Sequence, residues 1–143
     1  MNYNELRISK LRQYLFGVVE AINTNCKQIN ADMLPNDIDN YSLDKIPVQT
    51  LVERWITGLE IHRDLFSFRS RCAYSNDVIN NLLNIGFFEM FENVIREKNK
   101  NGDLPDIEGI QSIECLNCGT MVDNESNTSE FDIQLQITYK LQN

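Results

Sequence analysis

The sequence contains no long apolar run. No segment approaches the roughly 20 consecutive apolar residues that a membrane-spanning helix needs, and Met1–Lys10 is polar and charged. A secretory signal needs an apolar stretch near the N-terminus. We therefore expect a protein with neither a membrane anchor nor a secretion signal, which stays in the cytoplasm in which it is made.

Basic residues are few relative to acidic ones. The chain has 13 Lys and Arg against 21 Asp and Glu, which gives a formal net charge of −8. Binding to a phosphate backbone depends on Lys and Arg, so this balance argues against nucleic acid as a direct partner. One part of the sequence is locally basic and contains Arg54, His62, Arg63, Arg69 and Arg71. We interpret it as a solvated or ion-paired strand face, and the alternative is a contact with a polyelectrolyte.

Recognisable catalytic patterns are also missing. The chain has one histidine, His62, and in a strand pattern Asp64 is its only obvious same-face neighbour. A catalytic base needs a nucleophile or an orienting partner near it. The sequence contains no G-x-S-x-G, P-loop or G-x-G-x-x-G motif. We therefore predict that the protein is not an enzyme, that it needs no cofactor, and that His62 is exposed or lies at an interface.

Four cysteines leave a metal site as a competing hypothesis. Cys115 and Cys118 form a C-x-x-C, which can be half of a zinc site. Cys26, Cys72 and His62 lack the pair spacing that would supply the other half. A redox motif should stand at a helix N-terminus, whereas this one lies in a strand pattern. We expect reduced thiols and no bound metal.

Two segments have the apolar spacing of helices. The first has apolar residues three and four positions apart from Ile8 to Ile22. The second is predicted to be capped by Ser75 or Asn76 and to end near Lys98, with Gly86 as either a kink or a break.

The remaining periodic segments predict strands. A period of two is clearest in Phe131–Leu141, for which Gly109–Val122 is the expected antiparallel mate and Asp123–Ser129 the connection. Further strands are predicted over 27–34, 41–46, 50–57 and 61–73, with a turn at Pro35–Asp37. In the strand over 61–73, Phe66 and Phe68 share one face, while Arg63, Arg69 and Arg71 share the other. The prediction is an α+β fold: one domain over residues 1–143, with a single antiparallel sheet of at least four strands and helices packed on one face.

Several short segments, taken in order, resemble a known family. The chain resembles the tail terminator proteins of long-tailed phages and prophages of Gram-positive bacteria over roughly residues 11 to 139. The C-x-x-C departs from the family pattern. The segments that carry the resemblance are L-R-Q-Y-L at 11–15, Y-S-L-D-K-I-P at 41–47, V-E-R-W-I-T-G at 52–58, L-F-S-F-R-S-R at 65–71, G-F-F-E-M-F at 86–91, N-K-N-G-D-L-P at 99–105, I-Q-S-I-E-C at 110–115 and F-D-I-Q-L-Q-I-T-Y at 131–139.

The resemblance implies a structural protein of the virion. It implies a ring, usually a hexamer, that caps the tail tube, stops its polymerisation and joins the tail to the head. The expected partners are other copies of the chain, the tail-tube protein and a head-completion or connector protein, and DNA is only cargo passing through the ring. The alternative is that the chain is itself a head-completion or head-tail connector protein.

Rings are closed head-to-tail assemblies, so we expect strand edges or faces to form the contact between copies. The candidate interface residues lie on the hairpin predicted over residues 50–73, and they are Trp55, His62, Phe66, Arg69 and Arg71. For Trp55 and Phe66, burial in the core is the competing interpretation.

Overall fold

A computed structural model describes residues 5–22, 28–31, 40–73, 78–125 and 128–142. Within these ranges the chain forms two helices and six strands. They are, in chain order, α1 (Arg7–Ile22), β1 (Gln28–Ala31), β2 (Asn40–Ile46), β3 (Leu51–Arg54), β4 (Leu59–Ala73), α2 (Val78–Lys100), β5 (Ile110–Glu125) and β6 (Thr128–Gln142). This order of elements confirms the predicted α+β class.

The six strands form one sheet in the order β1-β2-β4-β6-β5. The short strand β3 pairs with β4 along the same edge as β2, at the end of β4 that β2 does not reach. All pairs are antiparallel except β1 with β2, which run parallel. The predicted single sheet with at least four antiparallel strands is confirmed, and β1 adds a parallel pair at one edge.

Every second side chain of β4 and β6 points to the buried face of the sheet, which we call the core face. Successive side chains of a strand point to opposite faces, and the register sets Phe66 opposite Leu135 and Phe68 opposite Ile133. All four side chains are almost completely buried. The alternation predicted for the last strand is confirmed, and its even-numbered residues form the opposite face, which we call the outer face.

Both helices cover the core face. The apolar stripe of α1 contributes Leu11 and Leu15, and α2 contributes Phe91 and Ile95, to the same cluster of buried side chains as the sheet. The ring of Phe91 stacks on that of Phe68 with centroids 5.4 Å apart. Helix α2 runs without interruption through Gly86, so that glycine does not break it.

Helix α2 ends in a hydrogen-bonded cap. Gly102 has a φ of 75°, its amide donates to the Asn99 carbonyl at 3.3 Å, and the Asp103 amide donates to the Lys98 carbonyl at 2.8 Å. This pair of bonds around a left-handed glycine is the Schellman motif. The helix thus ends at Lys100, two residues beyond the end predicted near Lys98.

Two predicted boundaries shift. Trp55 and Ile56, which were assigned to a strand, lie instead in the turn between β3 and β4. The polar connection predicted over Asp123–Ser129 is shorter, because β5 continues to Glu125 and β6 begins at Thr128. The predicted turn at Pro35–Asp37 and the predicted caps Ser75 and Asn76 lie outside the described residues.

Gly109 is required where the loop after α2 meets the sheet. Its φ is 76°, and the Lys140 amide donates to its carbonyl at 2.9 Å. A Cβ atom at this position would overlap the backbone oxygen of Lys140. The loop can therefore reach β6 this closely only with glycine at residue 109.

Gly109→Ala should lower the free energy of unfolding by more than about 2 kcal/mol, because it combines a left-handed backbone with a clash against backbone. Gly102→Ala has the same positive φ but open space around the added methyl group, and should cost about 1 kcal/mol. Gly17→Ala, inside α1 with nothing near the added methyl, should stabilise by up to about 1 kcal/mol. Urea unfolding of the three variants measures this ranking, and equal effects at Gly109 and Gly102 would contradict it.

Candidate interaction surface

Strand β3 and the turn between β3 and β4 present large apolar side chains to solvent. Val52 is 58% exposed, Trp55 47% and Ile56 107%. The turn is closed by the Trp55 amide donating to the Leu59 carbonyl at 2.8 Å and by the Gly58 amide donating to the Trp55 carbonyl at 3.0 Å. Gly58 has a φ of 91°, a backbone conformation that glycine adopts without strain. We call Val52, Trp55 and Ile56 the hairpin tip.

A chain of polar contacts ties the base of this hairpin together. Arg54 Nε lies 2.7 Å from Glu60 Oε2, and Glu60 Oε1 lies 2.9 Å from His62 Nε2. The other ring nitrogen of His62, Nδ1, lies 3.0 Å from Thr50 Oγ1. Because both ring nitrogens are engaged within the hairpin, His62 connects β3 to β4 in this arrangement.

Next to His62, the core face holds a buried carboxylate. Asp64 is 1% exposed; Arg7 Nε lies 2.9 Å from its Oδ2, and the Tyr139 hydroxyl donates to its Oδ1 at 3.0 Å. The Arg7 guanidinium also lies 4.5 Å from the centre of the Tyr139 ring. The His62 ring stacks on the same Tyr139 ring, with centroids 5.8 Å apart. Burial, followed by the charge of Asp64, raises the pKa of Tyr139 to about 12. These contacts fix the start of α1 on the sheet.

The outer face carries an ion-pair cluster centred on Arg69. Its Nε lies 2.5 Å from Asp44 Oδ2 and its Nη1 lies 2.9 Å from Glu130 Oε1. Asp44 also accepts a hydrogen bond from the Ser42 hydroxyl at 2.7 Å. Burial acts to lower the pKa of Arg69, but its pairing with Asp44 and Glu130 outweighs burial and raises the pKa overall. The cluster joins β2, β4 and β6, so its first role is to hold the sheet.

The structure separates the five predicted interface residues. Trp55 is exposed at the hairpin tip, whereas Phe66 is 1% exposed and belongs to the core, so the core interpretation was right for Phe66 and wrong for Trp55. Phe66 is not available on the surface for a contact. His62 sits at the base of the hairpin, its side chain 14% exposed.

The two arginines lie on the outer face, but neither is a free surface charge. Arg69 is held between Asp44 and Glu130. Arg71 is 8% exposed and lies directly across from Glu130 in the sheet register. Of the two interpretations given above for the basic segment, the ion-paired strand face therefore describes Arg69.

Sequence reasoning missed Ile56 and Val52 as surface residues. Both suited the strand predicted over residues 50–57. Gly58 was the sequence signal for a turn, and the turn begins before it. Asp64 was noted only as a neighbour of His62. Its pairing with Arg7 joins residues 57 positions apart in the sequence, and no local pattern announces such a contact.

Of the four cysteine side chains, the described part of the chain includes that of Cys115. The Cys115 side chain is partly buried. Cys26, and the side chains of Cys72 and Cys118, lie outside the description. Among the described residues, no three His, Cys, Asp or Glu side chains are grouped closely enough to hold a metal ion.

Neither described helix combines the length and the apolar character needed to cross a lipid bilayer. In comparisons with known proteins, the sequence matches no protein-family model and no curated protein.

The raised pKa of Tyr139 predicts a loss of stability at high pH. Below the ordinary tyrosine pKa of 10, the phenol is protonated in the folded and the unfolded chain. Between pH 10 and about 12 only the unfolded chain ionises at this residue, so the free energy of unfolding should fall as pH rises. Tyr139→Phe should make that fall shallower, as measured by urea unfolding across this range.

Tyr14 provides a matched comparison for this experiment. Burial, then the charge of Asp103, raises its pKa to about 12 as well, so Tyr14→Phe should act in the same direction and the two effects should add. An unchanged pH dependence in the Tyr139→Phe variant would contradict the raised pKa of that phenol in the folded chain.

Arg69→Met should destabilise the sheet by about 2 kcal/mol, because it leaves Asp44 and Glu130 without their shared cation. Arg63 is the matched control: it is on the same face of β4 but exposed, and Arg63→Met should change the free energy of unfolding by less than about 0.5 kcal/mol. Chemical denaturation of both variants measures the difference. Equal effects would show that Arg69 acts as an ordinary surface residue.

Proposed function

We propose that this chain is a structural subunit of a phage tail, which assembles as a ring on the end of the tail tube, stops its polymerisation and joins the tail to the head. The ordered resemblance to tail terminator proteins over residues 11 to 139 supports this proposal. The observation that carries it is the hairpin tip, an apolar projection that the fold leaves uncovered.

The energetics of the hairpin tip favour a protein contact. Val52 in β3 and Trp55 and Ile56 in the turn after it are exposed apolar side chains within five residues of one another, and apolar side chains grouped on the surface of a folded chain mark interaction sites. Aromatic side chains, tryptophan in particular, contribute much of the binding energy of protein interfaces. Removing these side chains from water by contact with a second protein would stabilise the assembly at no cost to the fold of the subunit.

The net charge of the chain agrees with this function. A subunit with a formal charge of −8 repels DNA over much of its surface, since like charges add into a field around the whole protein. A ring through which DNA must pass without binding needs that property. Copies of the chain also repel one another, so their association depends on an apolar contact strong enough to offset the repulsion.

The test is light scattering of the purified protein over a range of concentrations, with and without tail-tube protein. We expect a closed ring in solution, or a monomer that becomes a ring on the tube. The double variant Trp55→Ala, Ile56→Asp should weaken assembly at least about tenfold, since it removes an aromatic anchor and adds a charge to the contact.

Phe16→Asp is the matched control, because it places the same charge on a partly exposed apolar residue of α1, 36% exposed, away from the hairpin. It should leave assembly unchanged. A wild-type chain that stays monomeric at all concentrations and ignores tail-tube protein would overturn the proposal. Binding to a head portal or adaptor without binding to the tube would instead favour a head-completion or connector protein.

A further inference from the structure

The end of helix α2 carries the only Asn-Gly pair in the sequence, Asn101-Gly102. Both residues are exposed. A Cβ atom added at Gly102 would meet nothing within 4 Å, so open space surrounds this part of the backbone. The side chain of an asparagine that precedes glycine can react with the next peptide nitrogen, because glycine has no side chain to shield that nitrogen.

The nitrogen that would react is held by a long hydrogen bond. The Gly102 amide donates to the Asn99 carbonyl at 3.3 Å. The preceding amide, that of Asn101, donates to the Glu97 carbonyl at 3.0 Å. Bonds of this type usually measure about 2.9–3.0 Å, so the bond of the Gly102 amide is the weaker of the two. The ends of helices open locally at little cost in free energy, and such an opening releases the Gly102 nitrogen.

We propose that Asn101 is a site of spontaneous deamidation in the folded chain. The Gly102 nitrogen gives up its proton and forms a bond to Cγ of Asn101. The bond from that carbon to the side-chain nitrogen breaks, and this nitrogen leaves with a proton as ammonia. Water then opens the succinimide ring at either carbonyl carbon, which leaves aspartate or isoaspartate at residue 101.

The product places a negative charge where the fold disfavours one. Residue 101 directly follows Lys100, the last residue of α2, and the C-terminal end of a helix carries a partial negative charge. Glu97 and Asp103 line the same surface depression as Asn101. Deamidation therefore adds to the formal charge of −8 at a point that already has two carboxylates, and it weakens the end of α2.

Isoaspartate has a second effect, because it routes the main chain through the former side chain and lengthens it by one carbon. The Asp103 amide then no longer matches the Lys98 carbonyl, to which it donates at 2.8 Å in the folded chain. Asp103 also connects the two helices, since its carbonyl accepts a hydrogen bond from the Tyr14 hydroxyl at 2.8 Å. The isoaspartate form should therefore loosen the contact between α1 and the end of α2, which the added charge alone does not do.

Peptide mapping by mass spectrometry tests the proposal on the folded protein, incubated at neutral and at mildly alkaline pH. Residue 101 should convert several-fold faster than Asn93, an exposed asparagine of the same helix that precedes valine. The rate should rise with pH, because the attacking nitrogen must lose its proton. An isoaspartate-specific methyltransferase should label the incubated wild type several-fold more than the incubated Asn101→Gln variant.

The same incubation in urea gives the reference for the unfolded chain. Conversion at residue 101 in urea but not in the folded protein would overturn the proposal, and so would equal conversion of Asn101 and Asn93 in the folded protein. Gly102→Ala tests the part played by glycine. It should slow the conversion several-fold, and an unchanged rate would also count against the mechanism.

Asn101→Asp separates the charge from the lengthened main chain. This variant should shift the midpoint of urea unfolding to a lower concentration, and the isoaspartate form, purified by ion exchange, should shift it further. Equal midpoints would overturn the loosening of the contact between the helices. None of these results depends on the tail function proposed above, because each is measured on the isolated chain.

Discussion

The register of β4 within the sheet is the constraint on which the rest of this structure depends. Strand β4 pairs with β6 along all fifteen of its residues, and with β2 and β3 along its other edge. A shift of one residue would exchange its two faces. Phe66 and Phe68 would then face outward and Arg69 and Arg71 would face the helices, at a cost far above the stability of a small domain.

The same register places the polar clusters on opposite faces of β4. On the core face, His62 and Asp64 lie on the same side of β4 as Phe66. Arg7 and Tyr139 compensate the buried charge of Asp64, which explains how a carboxylate can lie next to the core. On the outer face, Arg69 compensates the two carboxylates that β2 and β6 bring to it.

The hairpin tip differs from both clusters because nothing within the described part of the subunit covers its apolar side chains. The polar contacts at its base, from Arg54 through Glu60 to His62, hold the projection in place before any partner binds. A rigid projection loses less conformational entropy on docking than a mobile one. The structure therefore combines an exposed apolar surface with a support that fixes its direction, and this combination suits the ring assembly that we propose.

The sequence by itself determined the elements and the composition of the core. Period two in β6, the apolar stripe of α1 and the stop at Gly102 depend on neighbouring residues, and local spacing reveals them. The sequence also placed Trp55 among the candidate contact residues, but with Phe66 beside it as an equal. Both are large aromatic side chains in strand-like segments, and composition does not distinguish them.

Only the tertiary structure decided which of these side chains reaches the surface. Trp55 is exposed because the chain turns at residues 55–58, and Phe66 is buried because the β4 register points it at the helices. The parallel pairing of β1 with β2 and the ion pair of Arg7 with Asp64 both join residues that are not neighbours in the sequence. Such contacts follow from how the whole chain packs, and no local pattern encodes them.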